Sequence, residues 1–182
     1  MLIPPERSLE GKILLADPSL NQGDFQKSVI LMAEHTDDGG SYGLILNRPL
    51  GKRVRHYLKD EKFEPLERVP VHFGGPVARD QLTFALLWED QGDLRFAVRV
   101  SAEDAIQALR SGQTQVRAFV GHSGWDGGQL QNELREKSWL VVPPDGALVR
   151  EKFDRALWSK MLRTLSPYYR IIAEAPDDPF LN

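Results

Sequence analysis

Two apolar runs, SVILMAEHT (28–36) and YGLILNR (42–48), stand on either side of DDGGS, and that arrangement constrains the fold more than any other feature of the chain. Both runs are partly β-branched, and the residues between them are turn formers. They predict an antiparallel hairpin whose loop is longer than the tightest kind. A strand with one solvated face alternates apolar and polar residues, but SVILM is apolar almost without a break. Both faces of that strand are therefore expected to be covered.

Other strands are expected at GKILLAD (11–17), VHFGGP (71–76), LTFALLW (82–88), DLRFAVRV (93–100), QVRAFVG (115–121) and SWLVV (138–142). In DLRFAVRV, Phe96, Val98 and Val100 alternate with Arg95, Ala97 and Arg99. A helix is predicted over 101–112, where Ser101 and Asp104 stand at capping-box spacing, Arg110 suits the last turn and Gly112 ends it. Asp154 can cap a closing helix, RALWSKMLRTL (155–165), in which Leu157, Trp158, Met161, Leu162 and Leu165 recur at helical period. A short helix is also possible over 52–59. Strands fall in adjacent pairs while helices are few and scattered. This order predicts α+β, with a mixed, largely antiparallel sheet, rather than a doubly wound fold. With 182 residues, 41% of them hydrophobic, the chain can bury one core, so one domain over 1–182 is expected, with irregular tails at 1–10 and 173–182.

Several function classes are disfavoured at this level. The net charge of −3 gives no global field for nucleic acid or an acidic membrane surface. Cysteine is absent, which excludes disulfides, thiolate catalysis and Cys-ligated zinc. His35, His56, His72 and His122 lie far apart without metal-binding spacing, so no metal is expected. No Walker lysine and no GxGxxG is present, and no cofactor is expected. The start, MLIPPERSLEGK, lacks the apolar stretch of a secretory signal, and runs such as VILMA are too short to span a bilayer. A cytosolic protein with no membrane partner is expected.

The stretch VGHSGWDGGQLQNEL (120–134) admits three readings. The first is a nucleophile elbow, G-x-S-x-G, in which Ser123 would be the catalytic candidate. Here, however, Trp125 stands where glycine is needed, and no histidine follows residue 123. A hydrolase would need His35 or His72 to reach in from elsewhere as the base. The second reading is a polar-ligand site, with Gly124, Gly127 and Gly128 exposing backbone N–H groups at a helix start. The third is structural: the glycines permit positive φ, Asp126 caps the helix, and Trp125 plugs a corner with Leu130 and Leu134 turned inward. On residue chemistry alone the structural reading leads.

Three further clusters carry candidates. KRVRHYLK (52–59) offers Lys52, Arg53 and Arg55 to a phosphate backbone, although DEKFEPLE follows with compensating acids. Glu34 and His35, with Asp37 and Asp38 beyond, hint at a metal or acid–base pair. Neighbours on a regular strand point to opposite faces, so a single site is disfavoured. Asn47 and Arg48 end a buried strand, where Arg48 could meet an acidic ligand, a nearby acid or a carbonyl.

Taken in order, GKILLADPSL (11–20), FQKSVILMAEHTDDGGSYGLILNRP (25–49), HFGGPV (72–77), FVGHSGWDGGQLQNEL (119–134) and WLVVPPD (139–145) resemble the bacterial YqgE/AlgH family across nearly the whole chain. The resemblance implies a single-domain α+β protein of the cytosol. Some members carry the label of transcriptional regulator, although no helix-turn-helix signature is found here. It also implies that Ala is as acceptable as Ser at 123 and that Tyr is common at 122, which weakens both as chemical groups. The residues that match best are Asn47, Arg48, Gly74, Gly75, Pro76, Gly124, Trp125, Gly128 and Gln129. They are expected to converge on one cleft near the GGPV and GHSGWDGGQL loops that takes a small polar ligand or a protein partner. A non-catalytic binding or regulatory protein is the first expectation. A Ser123 hydrolase and nucleic-acid binding through 52–59 are the alternatives.

Overall fold

The computed structural model describes residues 8–21, 23–36 and 39–175. Asp37 and Asp38, and the tail expectations for 1–7 and 176–182, lie outside the described residues. The strands are β1 (Ile13–Ala16), β2 (Val29–Thr36), β3 (Gly40–Ile45), β4 (Pro49–Arg53), β5 (Pro70–Phe73), β6 (Val77–Asp90), β7 (Asp93–Val100), β8 (Gln115–Trp125) and β9 (Trp139–Val142). The helices are α1 (Ala102–Ser111), α2 (Gln129–Arg135), α3 (Ala156–Leu162) and α4 (Pro167–Glu174). Among the described residues the strands form one sheet in the order β4-β5-β8-β3-β2-β1-β9, with β6 and β7 branching from β8. The β5–β8 pair is parallel and the other pairings are antiparallel, so the fold is α+β with a mixed, largely antiparallel sheet.

The hairpin forms as expected, with Ile30 opposite Ile45 and Leu31 opposite Leu44. Val29 to Ala33 are all buried, because the sheet is covered twice. Ile13, Leu15, Val29, Leu31, Tyr42 and Leu44 pack on Phe153, Leu157, Trp158 and Leu162, mostly from α3. On the other face Leu14, Ile30, Met32 and Ile45 meet Trp125, Leu130 and Trp139 around α2. A third cluster sets Ala105 and Ile106 of α1 against Val71, Phe84, Val116, Ala118 and Val120. Each such aliphatic side chain contributes about 2 kcal/mol on burial.

Strand β8 organises the branch. At Ala118–Val120 it pairs with β5 and with β6 at once, so these two strands lie on its opposite edges. The chain leaves β5 and must cross β8 within Gly74-Gly75-Pro76 before β6 begins. The crossing is backbone on backbone. A Cβ at Gly74 would sit 2.3 Å from the Gly121 oxygen, and one at Gly75 would sit 2.2 Å from the His122 carbonyl carbon. Gly121 itself has φ +71, and its Cβ would strike the Gly75 oxygen at 2.3 Å. Beyond the crossing β8 continues to Trp125 by pairing Ser123 to Trp125 with β3, so the strand does not stop at 121 as expected.

Two expected helices differ. Residues 52–59 do not form one: β4 pairs Lys52 and Arg53 with Val71 and Pro70, and only a 3-10 turn, Val54–His56, follows. Val54 is buried and its N–H goes to the Val69 carbonyl at 3.0 Å, so the backbone is bonded sideways instead of along a helix. The closing helix expected over 155–165 is shorter, with α3 ending at Leu162, and α4 is a further helix beyond it. Ser166 before Pro167 is held extended at φ −166 and ψ 164, as proline's ring requires, and its side chain caps α4. The irregular tail expected from 173 therefore gives way to helix through Glu174.

The crossing predicts opposite fates for two glycines. Gly75→Ala should destabilise the fold by on the order of 3 kcal/mol, because strain and overlap coincide. Gly124→Ala, whose Cβ would only touch Val77 at 3.6 Å, should stay within about 1 kcal/mol of wild type. Urea unfolding monitored by tryptophan fluorescence separates the two; equal midpoints would contradict the crossing geometry.

Candidate functional site

The glycine corner after β8 is held together by Glu133. Its Oε2 accepts from Trp125 Nε1 at 2.9 Å and from Trp139 Nε1 at 2.7 Å, while Oε1 accepts from Gln129 Nε2 at 3.0 Å. Gln129 Oε1 in turn accepts the Asp126 N–H at 3.2 Å. Phe25 stacks on Trp125 at 6.1 Å and meets Trp139 edge-on at 5.7 Å. Trp125 is thus a buried plug, as the structural reading expects. Asp126 does not cap α2, however: Gly128, at φ 80, holds that position without a side-chain cap. Ser123 is fully buried and donates from Oγ to the Gly74 carbonyl at 3.1 Å. A buried hydroxyl tied to the backbone crossing is a structural group. That placement agrees with the structural reading of the corner, since the Ser123 hydroxyl is neither exposed nor free of a backbone partner.

Asn47 is also internal. Its Oδ1 accepts the Val29 N–H and its Nδ2 donates to the Lys27 carbonyl, each at 2.9 Å. The residue pins the entry of β2 and offers nothing to a ligand, as do Gly74 and Gly75 inside the crossing. The guanidinium of Arg48 donates to the Gln26, Lys27 and Asn47 carbonyls, so of the options open in the sequence the carbonyl one is realised. His72 is buried and donates from Nε2 to the Phe153 carbonyl at 2.8 Å, packed near Arg117. His35 accepts or donates at Nδ1 with Ser41 Oγ at 2.7 Å, according to tautomer. Lys52 and Arg53 lie on exposed β4 with Arg55 just beyond it, and the Lys52 ammonium leans over Tyr57 at 5.8 Å.

The expected cleft divides into two grooves with no lining residue in common. The first, about 520 Å³, gathers Gly124, Trp125 and Gln129 with Val77 of the GGPV turn, and so lies where the two loops meet. Arg48 lines the second, about 740 Å³, beside Trp158. Trp125 and Trp158 belong to the cores on opposite faces of the β1–β2–β3 sheet. Arg48 and Trp125 therefore do not share one cleft, and Gly128 is a helix cap rather than part of either wall.

The first groove also contains residues that the sequence did not mark. Arg99 forms an ion pair with Glu34 and lies over the Tyr42 ring at 4.0 Å. The His122 ring lies against Tyr42, tilted by 33°, with centroids 4.8 Å apart. Burial, and secondarily the Arg99 charge, holds the His122 imidazole below its ordinary range, leaving it neutral at pH 7 with one donor and one acceptor nitrogen. Burial raises the Tyr42 hydroxyl, against the pull of Arg99. The register of β6 and β7 passes from Phe84–Val100 to Leu86–Ala97, so Val98 and Arg99 both face Ala85. This is a β-bulge, and Arg99 occupies it at φ 55, where L side chains are rarely found. No residue type announces such a bulge, and regular alternation would have placed Arg99 on a plain strand face. Glu34 reaches the groove because the β2–β3 register shifts between Met32 and Glu34. Among the described residues no group of three His, Cys, Asp or Glu side chains is placed to hold a metal, and no helix is long and apolar enough to cross a membrane.

A branched, mostly antiparallel sheet with polar grooves at its strand ends and helices on both faces defines a single-sheet α+β protein. Its family is also clear: the AlgH-like family model matches residues 13–170, and the chain belongs to that family. A UPF0301 protein of Chlorobium limicola is 33% identical over 184 residues, covering 94% of this chain and 95% of the relative. One from Streptomyces coelicolor is 33% identical over 186 residues, covering 96% of each. The solution structure of AlgH from Pseudomonas aeruginosa aligns with a TM-score of 0.66 at 26% identity, covering 98% of this chain and all of that one. A crystal structure from Corynebacterium diphtheriae shares the fold with a TM-score of 0.70 at 22% identity.

Two measurements check this account. Glu133→Ala leaves two indole N–H groups without their acceptor and should cost about 3 kcal/mol by chemical denaturation; a loss below about 1 kcal/mol would mean the corner stands without its clamp. The second concerns His72, whose imidazole burial pulls below the ordinary value, against the opposing Phe153 bond. The unfolded chain then binds the proton more readily. His72 stability is fully present above about pH 6.5 and is lost as pH falls below that toward the folded value. His72→Gln, which keeps a donor for Phe153, should flatten the fall of Tm between pH 7 and 5; parallel curves would refute the assignment.

Proposed function

We propose that this protein is a non-catalytic binding protein of regulatory type, with a small polar ligand seated in the groove between the GGPV and GHSGWDGGQL loops. The observation that carries this reading is Arg99. A non-glycine residue in the left-handed region costs on the order of 1–3 kcal/mol and persists where the surroundings hold it. Here the holding contacts, Glu34 and Tyr42, are themselves groove residues. The volume suits a small metabolite. Its walls offer donors from Arg99, both hydrogen-bonding roles from neutral His122, and carboxylates from Glu34 and Asp126. Walls of mixed sign favour a zwitterionic or neutral polar ligand over a strongly anionic one. The family label of transcriptional regulator fits a binding protein, and ligand occupancy would then be the signal it transmits.

A thermal-shift panel of zwitterionic amino acids and neutral nucleosides tests the reading. A hit should raise Tm with concentration, and Arg99→Ala should weaken it at least about ten-fold. Hits indifferent to Arg99→Ala, or none across the panel, would count against this groove.

A further inference from the structure

Most glycines around the first groove are required by the backbone. Gly74, Gly75 and Gly121 serve the crossing, and a Cβ at Gly40 would stand 2.5 Å from the Trp125 carbonyl oxygen. Gly124 is different. It has no positive φ, and among the described residues its Cβ would touch only Val77 Cγ2, at an ordinary 3.6 Å. Its pairing with Tyr42 lies in an unbroken register from Ser41–Trp125 to Gly43–Ser123. A glycine inside a strand weakens it, and marks a bulge, a tight bend, or a place where another backbone or a ligand comes close. Regular pairing removes the bulge and the bend, and room for a Cβ removes the backbone. A ligand remains.

Gly124 also stands in the middle of the groove. Glu34 pairs with Tyr42 across β2–β3, and Tyr42 with Gly124 across β3–β8, so the three form one row on one face. His122, two residues before Gly124, shares that face, and its ring lies against Tyr42. Arg99 is paired with Glu34 and lies over the Tyr42 ring at 4.0 Å. Charge is thus gathered at the Tyr42 end of the row. At the other end Gly124 is exposed, and Val77, 43% exposed, stands beside it as an apolar wall. Neighbouring strands lie about 4.8 Å apart, so a ligand whose head meets Arg99 and Glu34 reaches Gly124 by extending about that far.

We propose that this groove takes an α-amino acid with an aliphatic side chain of about leucine size, its head between Arg99 and Glu34 and its side chain laid on Gly124 against Val77. The assignment rests on the reading of the groove as a ligand site and names the ligand class. The half-exposed Arg99 guanidinium keeps N–H groups beyond the one given to Glu34, and these can donate to the ligand carboxylate. The Glu34 carboxylate accepts from the ammonium. A side chain of leucine's length spans one strand spacing and displaces water from Val77 and from bare backbone. A side chain at position 124 would fill the same volume, so the glycine sets the size of ligand accepted.

Isothermal titration of the full chain with L-leucine and L-alanine tests the proposal. L-Leucine should bind saturably, and L-alanine, whose side chain stops short of Gly124, more weakly. Gly124→Val should weaken leucine at least about ten-fold and Gly124→Ala about three-fold, with alanine changed by less than about two-fold in both. Gly124→Ala adds a Cβ where there is room, so its Tm should stay close to wild type and its loss of affinity reads the site, whatever the valine does to stability. Arg99→Ala should weaken both amino acids alike. Leucine affinity indifferent to both Gly124 variants, or leucine and alanine weakened equally by them, would overturn the proposal. So would silence of leucine beside an Arg99-dependent nucleoside, which would leave the groove a ligand site of another class. Binding by neither class would remove the reading of the groove itself, and this inference with it.

Discussion

The fold depends on the crossing of Gly74 and Gly75 over Gly121. The Gly74 N–H donates to the Val120 carbonyl of β8, and its own carbonyl accepts from Ile45 of β3 and from Ser123 Oγ. One residue therefore ties β5, β8 and β3 together. Because the chain crosses β8 there, β6 can take the edge opposite β5, and β3 can pair with the last residues of β8. Without glycine at the crossing the two backbones could not approach, and the branch would not close. Both loops that bound the first groove begin at this point, so its position follows from the packing of three glycines.

A second constraint acts from the other end of the hairpin. Asn47 holds the backbone on both sides of Ser28, by accepting from Val29 and donating to Lys27, and Arg48 adds donors to the Lys27 and Gln26 carbonyls. In the sequence, FQKSV and LNRP are separated by the whole hairpin, yet they form one clamp. Asn47 is fully buried because each of its bonds replaces one that water would otherwise make. Arg48 is only half-buried, so the same pair that secures the loop leaves a cation at the wall of the second groove.

Much of the architecture was legible because it rests on local chemistry. The hairpin, the Ser101 cap and Gly112 stop of α1, and the Trp125 corner all follow from residue types at short spacing. Helix α4 was not expected, although Ser166-Pro167, with proline at N1, is the local signal of its start. Long-range facts were not legible. Nothing in KRVRHYLK shows that Val54 is buried against Val69, which turns an apparent helix into an edge strand and a 3-10 turn. The residues that match the family most closely were expected to be the site, but Asn47, Gly74 and Gly75 stand where backbones must approach or backbone groups must be met. A motif of glycines and short polar side chains records tight packing as readily as it records chemistry.

The non-glycine residues with positive φ separate these two meanings. Gln91 precedes Gly92 in the β6–β7 turn, where both central residues need that conformation. Lys137 ends α2 in a Schellman arrangement, with its N–H to Leu134 and that of Ser138 to Glu133. Ala78 begins the long register shift between Val77 and Leu82. Each of these three is explained by a turn, a helix end or a slack strand edge. Lys27 and Arg99 are different, because each lines a groove and each is held by side-chain contacts that reach across the sequence. The Lys27 carbonyl takes two donors from residues 47 and 48, and Arg99 is held by Glu34 and Tyr42. At both positions contacts from distant segments hold the backbone: the Asn47–Arg48 clamp at Lys27, and the β-bulge with Glu34 and Tyr42 at Arg99.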